Sequence, residues 1–573
     1  MVDLNSLKTL VDNNDLLAVF PEFCIIAAMF VSLGFSLAKT TSHRAAAFST
    51  PFLALGLAFC ILLFSKMTGS ESIYSFKGTY LTDSFSLLLK GLLFLALLCL
   101  SFGSWFYLKS SELTSKGEYQ FLLLGASLGA SFLISANDLI LLFVALETLS
   151  LSSIALVAYV KKDSLGGEAA IKYLLNGAIA SACLLFSLSL YYGITFGSTS
   201  FSAFPNMLLG ETATMFMRVF PYIIFSMAMF LTIAAISFKL SLAPFHMWAP
   251  DVYNGSNLPT AAFLATISKL AAFAIFCHMG WTIFSSSADT FRVWSTLFAL
   301  LAILSMIVGN FVGARQVFRA EGGSLKRLFA YSSVAQIGYV MTSVVLGPDW
   351  STSQGLFYLT MYVVVNLGAF LALIKVEEWY TRNNIESVHP DSIDALKGLY
   401  KIKPKLAVFL GVCVANLAAV FPAMLLAKIV LLDASLHAGI SSLLPEKIAK
   451  TYGLTATNYM VAPIVSLVMA ATILITSVVA IFYYTTLIKK MFVDEPLPEV
   501  QEKLNKTETT NPIGLSNFSI NFACSILLFA SVILSVFPEF WINKVTGPAA
   551  QALFVSSSSN LLTTLDETEK KAK

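Results

Sequence analysis

Apolar runs, each closed by charged or turn-forming residues, occupy most of the chain. Reading from charge to charge gives runs at 23–38, 45–65, 91–108, 121–137, 139–160, 173–195, 219–243, 252–288, 293–314, 328–348, 350–374, 406–432, 458–488 and 517–538. A helix that crosses a bilayer needs about 20 mostly apolar residues, so these runs predict 14 spans, numbered 1 to 14 here. Runs 5 and 8 are each interrupted once, and only Asn137 and Asp138 divide spans 4 and 5. The first run follows acidic residues (Asp3, Asp12, Asp15) and no small-x-small cleavage site follows it, so it is expected to be retained. Segment 496–513, rich in Glu, Lys, Asn and Thr, reads as a solvated loop. The tail from Asp566 has no apolar face and reads as frayed, with no soluble domain expected. The pattern therefore predicts an all-α polytopic membrane protein.

Lysine and arginine sort by side. Loops after odd-numbered spans carry twenty of them and the opposite loops and termini twelve, Lys90 being counted among the twelve. The Lys/Arg-rich side faces the cytoplasm in most membrane proteins, so both termini are expected outside.

Composition agrees with the pattern. The 573 residues are 57% hydrophobic and 12% charged, against about a quarter charged in soluble domains, and the mean hydropathy is +0.78. A net charge of +3 gives no sign of a nucleic-acid partner. All seven cysteines lie in apolar stretches with no Cys-x-x-Cys pair, and the five histidines show no metal-ligand spacing. Neither a Gly-x-Gly-x-x-Gly turn nor a phosphate loop is present. Any redox cofactor is expected on another chain, and no metal site is expected here.

The informative residues are charges inside apolar runs, where each costs about 2.5–3.5 kcal/mol on insertion scales. Glu147 stands mid-run in span 5. Lys239 closes a long uncharged run just before Pro244, Lys269 divides run 8, and Lys428 stands six residues after Pro422. Glu168 and Lys172 are spaced to pair on one helix face near the membrane edge. Burial disfavours the charged form of a lysine and a nearby carboxylate restores it, so an acid with several buried lysines suits a proton relay. Proline frees a backbone carbonyl, and unwound backbone at membrane depth is tolerated where it lines a polar cavity. Pro244 and Pro422 therefore predict broken helices at spans 7 and 12. These two lysine-plus-proline spans lie five apart, as two inverted five-helix repeats require.

The motifs that surround these charges resemble a known family. They are Glu147-Thr-Leu-Ser-Leu, Glu168-Ala-Ala-Ile-Lys-Tyr-Leu-Leu-Asn-Gly, and Phe238-Lys-Leu-Ser-Leu-Ala-Pro-Phe-His-Met-Trp-Ala-Pro-Asp-Val-Tyr-Asn-Gly running into Pro259-Thr-Ala-Ala-Phe and Ser268-Lys. Leu325-Lys-Arg-Leu-Phe-Ala-Tyr-Ser-Ser-Val-Ala-Gln-Ile-Gly-Tyr, Asn366-Leu-Gly-Ala-Phe, Tyr483-Tyr and Lys490-Met-Phe continue the match, which covers about residues 15–500. Together they resemble the antiporter-like membrane subunits of proton-pumping NADH–quinone oxidoreductase, respiratory complex I, of the subunit N type (subunit 2 in mitochondria).

The resemblance implies about 14 transmembrane helices with inverted repeats at helices 4–8 and 9–13. It divides the chain into three N-terminal helices (1–120), a first repeat (121–288), a second repeat (289–490), and a polar loop, last helix and tail (491–573). It implies that Glu147 pairs with Lys239, that Lys269 is the central lysine and Lys428 that of the broken twelfth helix, with Glu168 and Lys172 secondary. Electron transfer from NADH, flavin, iron–sulfur clusters and quinone belong in this family to partner subunits, so the chain would be one part of a translocase, with no redox chemistry of its own. Its expected partners are the lipid bilayer and other membrane subunits, in a bacterial plasma membrane or alternatively a mitochondrial inner membrane. Three departures stand out: Ala419-Val-Phe-Pro replaces Gly-Ile-Pro-Pro, Gln336 replaces a histidine, and Val317–Gly323 reads as an insertion. Two other readings use the same residues: a monovalent-cation/proton antiporter subunit without electron transfer, and a structural spacer whose charges dock neighbouring subunits.

Overall fold

The computed structural model describes residues 13–553, apart from segments 38–44, 68–70, 111–115, 161–162, 204–214, 284–287, 320–322, 348, 384, 386–388, 444–460, 499 and 502–514. Most of the polar loop 496–513, part of the 317–323 insertion, and the tail lie outside the described residues.

Twelve described helices are each long and apolar enough to cross a membrane. Spans 1 to 6 are Phe20–Leu37, Ala45–Lys66, Ser84–Ser110, Lys116–Ile134, Leu139–Val157 and Ser164–Ile194. Span 7, Met215–Leu240, is followed by the short helix Trp248–Gly255, and span 8 consists of Leu258–Ala265 and Ile267–Thr282. Spans 9, 10, 11 and 13 are Ala288–Val317, Leu325–Leu346, Asp349–Arg382 and Pro463–Phe492. Runs 12 and 14 correspond to Pro404–Leu417 with Pro422–Leu443, and to Leu515–Val536 with the short helix Pro538–Trp541 beyond it. The apolar windows of spans 8 and 11 are wholly buried, and that of span 10 nearly so. These three form the centre, and spans 1, 2 and 6 lie at the edge, where apolar side chains face outward as lipid-facing helices require.

The narrow polar break between spans 4 and 5 is a helix cap. The Asp138 carboxylate accepts from the backbone N–H groups of Ile140 and Leu141, at 2.8 and 3.3 Å, and so satisfies two donors that a helix start leaves orphaned.

One residue corrects the sequence reading, and one small element adds to it. Lys90 is no loop residue: it stands seven residues into span 3 and is 1% exposed. Its charge is accommodated by an ion pair with Glu22 of span 1 at 2.8 Å, so the helix can start at Ser84 instead of after the lysine. The fold is otherwise the helical one expected, with one hairpin added. Ser72–Ser75 and Tyr80–Asp83 form an antiparallel hairpin between spans 2 and 3. Its turn holds Phe76 and Lys77 at φ 51° and 58°, a conformation usually marked by Asn-Gly. Phe-Lys gives no such signal.

Two glycines admit the backbone of a neighbouring span. A Cβ on Gly129 of span 4 would lie 2.5 Å from the Leu149 nitrogen and 2.8 Å from the Ala145 carbonyl oxygen of span 5. A Cβ on Gly309 of span 9 would lie 2.5 Å from the Ala335 nitrogen and 2.7 Å from the Tyr331 carbonyl oxygen of span 10. The spans around Glu147 and around Ser333 are thus pinned in the same way, by a small residue that admits the neighbouring backbone. Gly129→Ala must push two helices apart, at about 1–3 kcal/mol, whereas Gly167→Ala in span 6 meets open space. Thermal denaturation in detergent is expected to show a lower midpoint for Gly129→Ala and no loss for Gly167→Ala.

Candidate functional site

The two lysine-bearing breaks are built alike. Span 7 ends with Ser241 in the left-handed region (φ 58°), and the first half of span 12 ends with Ala419 there (φ 59°). In each case the next residue donates back five positions: Leu242 N–H to the Ser237 carbonyl at 2.9 Å, and Val420 N–H to the Ala415 carbonyl at 3.0 Å. This is the Schellman end of a helix, carried here by Ser and Ala in place of Gly, and in each a proline stands three residues beyond the left-handed position. Pro244 lies in the irregular connection 241–247, whereas Pro422 opens the second half of span 12 at its first turn, where a missing N–H costs nothing. Span 8 breaks at Thr266 (φ −117°, ψ −75°), three residues before Lys269.

Each break exposes carbonyls that a membrane interior cannot leave unpaired, and a side chain serves one at every break. The Trp248 indole donates to the Phe238 carbonyl at 3.0 Å, the Tyr362 hydroxyl to that of Ala265 at 2.7 Å, and the Gln336 amide to that of Leu417 at 3.3 Å. Gln336 also accepts from the Tyr358 hydroxyl, joining spans 10, 11 and 12.

The lysines differ in their partners. Lys239 is buried, donates to the Ser150 hydroxyl of span 5, and lies 5.8 Å from the centre of the Tyr173 ring. It shares a cavity of about 300 Å³ with Glu147, lined mainly by spans 5 and 6. Glu147 is close enough for its charge to act on Lys239, but the two are not among the ion pairs found within 4 Å for the described residues. One Glu147 oxygen is buried without a hydrogen-bond partner. Lys269 is 1% exposed and donates to the Ser333 hydroxyl of span 10 at 2.8 Å. Lys428 is buried with no hydrogen-bond partner on its ammonium, which sits 4.3 Å from the centre of the Tyr339 ring, a cation–π contact.

Span 10 connects Lys269 to Lys428. Ser332, Ser333, Gln336 and Tyr339 follow one face of this helix. Ser332 bonds the Tyr484 hydroxyl of span 13, Gln336 bonds Tyr358, and the Tyr339 hydroxyl bonds Thr476 at 2.8 Å. The quoted motifs contain Ser332, Ser333, Tyr339 and Tyr484 but give them no role, although a polar stripe at helical spacing in an otherwise apolar run is a legible signal. His246, buried in the span 7 break with its ring centre 6.3 Å from that of Tyr331, was likewise passed over.

Glu168 and Lys172 lie elsewhere. They pair at 2.7 Å as their spacing predicts, but both are half-exposed. Lys172 also pairs with Asp251 at 2.8 Å, and Asp251 with Arg327 at 3.3 Å. This surface chain ties spans 6 and 10 to the Pro-Asp-Val-Tyr helix and is not joined to the buried lysines by any bond among the described residues.

Comparisons with known proteins place the chain in a family. The profile of the NADH:quinone oxidoreductase/Mrp antiporter transmembrane family matches residues 136–445. NAD(P)H-quinone oxidoreductase subunit 2 of Thermosynechococcus vestitus is 34% identical over 512 residues, 89% of this chain and 88% of that protein. A chain of respiratory complex I from Thermus thermophilus superposes with a TM-score of 0.59 at 27% identity, covering 91% of this chain and all of that one. A chain of the Mrp complex from Dietzia has a TM-score of 0.71 over 96% of this chain, and at 18% identity it shares the fold alone. The fold and these matches define a class, the antiporter-like membrane subunits. The chain belongs to the NADH:quinone oxidoreductase/Mrp antiporter family and within it to the subunit 2, or subunit N, type of complex I membrane subunit. It is a multi-span protein of a bacterial membrane.

Gln336→Leu leaves the Tyr358 hydroxyl and the Leu417 carbonyl unpaired in a dry site, at about 1–3 kcal/mol each. Thermal denaturation should show a clear loss of stability. Unchanged stability would mean that the Gln336 bridge does not hold the break.

Proposed function

We propose that this subunit translocates protons for a NAD(P)H–quinone oxidoreductase along Glu147, Lys239, Lys269 and Lys428. NAD(P)H oxidation, flavin, iron–sulfur clusters and quinone reside on partner subunits, and other membrane subunits pack beside this one. The observation that carries the reading is that three buried lysines sit beside or just beyond helix breaks, with a polar face of span 10 leading from the second to the third. Glu147 and Lys239 share a cavity without closing an ion pair. A change in the charge or position of Glu147 therefore alters the cost of a proton on Lys239. Lys239 can then pass its proton inward while its charge is restored from the cavity side.

The same reading assigns spans 4–8 and 9–13 to two inverted repeats. Support comes from the paired Schellman breaks at Ser241 and Ala419 and from the paired glycine approaches at Gly129 and Gly309. In that correspondence Ser333 stands where Glu147 stands in the first repeat, so only the first carries a carboxylate there. Glu168 and Lys172 act through Asp251 on the short helix beyond the span 7 break.

In membrane vesicles that hold the intact complex, Lys239→Ala is expected to lower proton translocation on the order of tenfold or more, as loss of a proton-transfer group does. Glu147→Ala should be similarly costly and Glu147→Asp milder. Lys172→Ala, in a half-exposed pair screened by solvent, should have a small effect. Undiminished pumping in Lys239→Ala would overturn the relay in favour of a structural spacer. Cation/proton exchange by a purified assembly that lacks quinone reductase activity would instead favour the antiporter reading.

A further inference from the structure

The relay leaves one deeply buried ion pair unused. Glu22 and Lys90 pair at 2.8 Å with exposures of 0% and 1%, the most buried ion pair among the described residues. Four elements converge on it: Glu22 from span 1, Lys90 from span 3, Ser131 from span 4, whose hydroxyl donates to Glu22 Oε1 at 2.5 Å, and Tyr80 from the hairpin, whose hydroxyl accepts from Lys90. Cys60 of span 2 is also within electrostatic reach of both charges. The second carboxylate oxygen, Glu22 Oε2, is buried with no hydrogen-bond partner. All of these residues lie outside the stretch 136–445 that the family profile covers.

A polar seam leads to the pair. Gln120, Ser127 and Ser131 share one face of span 4 and are fully buried, and they extend about 16 Å along the helix axis. At the far end Gln120 donates to Ser101 of span 3 at 3.0 Å and to Ser49 of span 2 at 3.3 Å. The seam therefore runs from the Lys/Arg-rich side of spans 2, 3 and 4 to the hairpin side.

A structural clamp is the plain alternative, but charges are poor material for one. Replacing a buried ion pair with apolar side chains of similar volume is often neutral or stabilising, whereas removing one partner strands a charge.

We propose that spans 1 to 4 carry a second proton route, separate from the lysine axis, with the Glu22–Lys90 pair as its titratable station. Lys90 releases a proton past Tyr80 on the hairpin side as an N–H bond breaks. Glu22 takes a proton from the Ser131 side as an O–H bond forms. Transfer of that proton from Glu22 to Lys90 restores the ion pair, so one proton crosses per cycle and charge is conserved. The proposal rests on the reading of this subunit as a proton translocator.

The test uses the intact complex in vesicles, measuring protons moved per electron pair passed to quinone. The double variant Glu22→Gln with Lys90→Met removes both charges together. It is expected to keep quinone reduction while losing part of the proton yield. A wild-type yield would overturn the route. If the double variant does not assemble, Ser131→Ala decides, since it removes only the hydroxyl that reaches Glu22: a lowered yield supports the route and a wild-type yield overturns it. Lys269→Ala measured alongside separates the two claims. Loss there with a wild-type yield in the Glu22/Lys90 variant sinks the second route alone, and no loss there sinks the relay reading on which it rests.

Discussion

A lysine ammonium inside a dry helix bundle must find a polar or aromatic partner, and that constraint organises this molecule. The buried lysines meet it with different partners: a serine on span 5 for Lys239, a serine on span 10 for Lys269, a tyrosine ring for Lys428, a glutamate and a tyrosine hydroxyl for Lys90, and Asp391 with the Ser256 carbonyl for Lys326. None of the three axis lysines is locked in a short ion pair among the described residues. A lysine held by a neutral hydroxyl or a ring keeps its charged form less firmly than one held by a carboxylate. On the lysine axis a proton is therefore passed on without first breaking a short ion pair.

The backbone obeys the same constraint. Interrupting a helix in the membrane leaves carbonyls without donors, and each break here recruits a side chain from elsewhere: Trp248, Tyr362 or Gln336. Two of these donors come from spans 10 and 11, which lie with span 8 at the centre. The breaks, the lysines and the central helices are therefore one packed unit. Movement of span 10 would shift the partner of Lys269 and the donor at the span 12 break together.

Much of this was legible in the sequence because the bilayer imposes a coarse rule. Runs of about 20 apolar residues mark helices, and twelve of the 14 runs coincide with described helices long and apolar enough to cross a membrane. The mid-run charges at Glu147, Lys239, Lys269 and Lys428 were legible for the same reason, since each stood out against apolar neighbours. What was not legible depends on partners distant in sequence. Lys90 reads as a loop residue because nothing near it announces Glu22, 68 positions earlier. The span 12 break survives the loss of a glycine because Ala419 adopts the left-handed conformation within a Schellman end, which no motif signals. Ser150 and Ser333 stand in quoted motifs, but their role as lysine partners was not legible because serine is common in membrane helices, where it bonds its own backbone.

The central claim is that groups on this chain gain and lose protons during turnover. Infrared difference spectroscopy of the intact complex during quinone reduction addresses it directly. The account predicts a carboxyl band that changes with turnover in the wild type and is missing in Glu147→Gln. Turnover spectra with no carboxyl change attributable to Glu147 would contradict it.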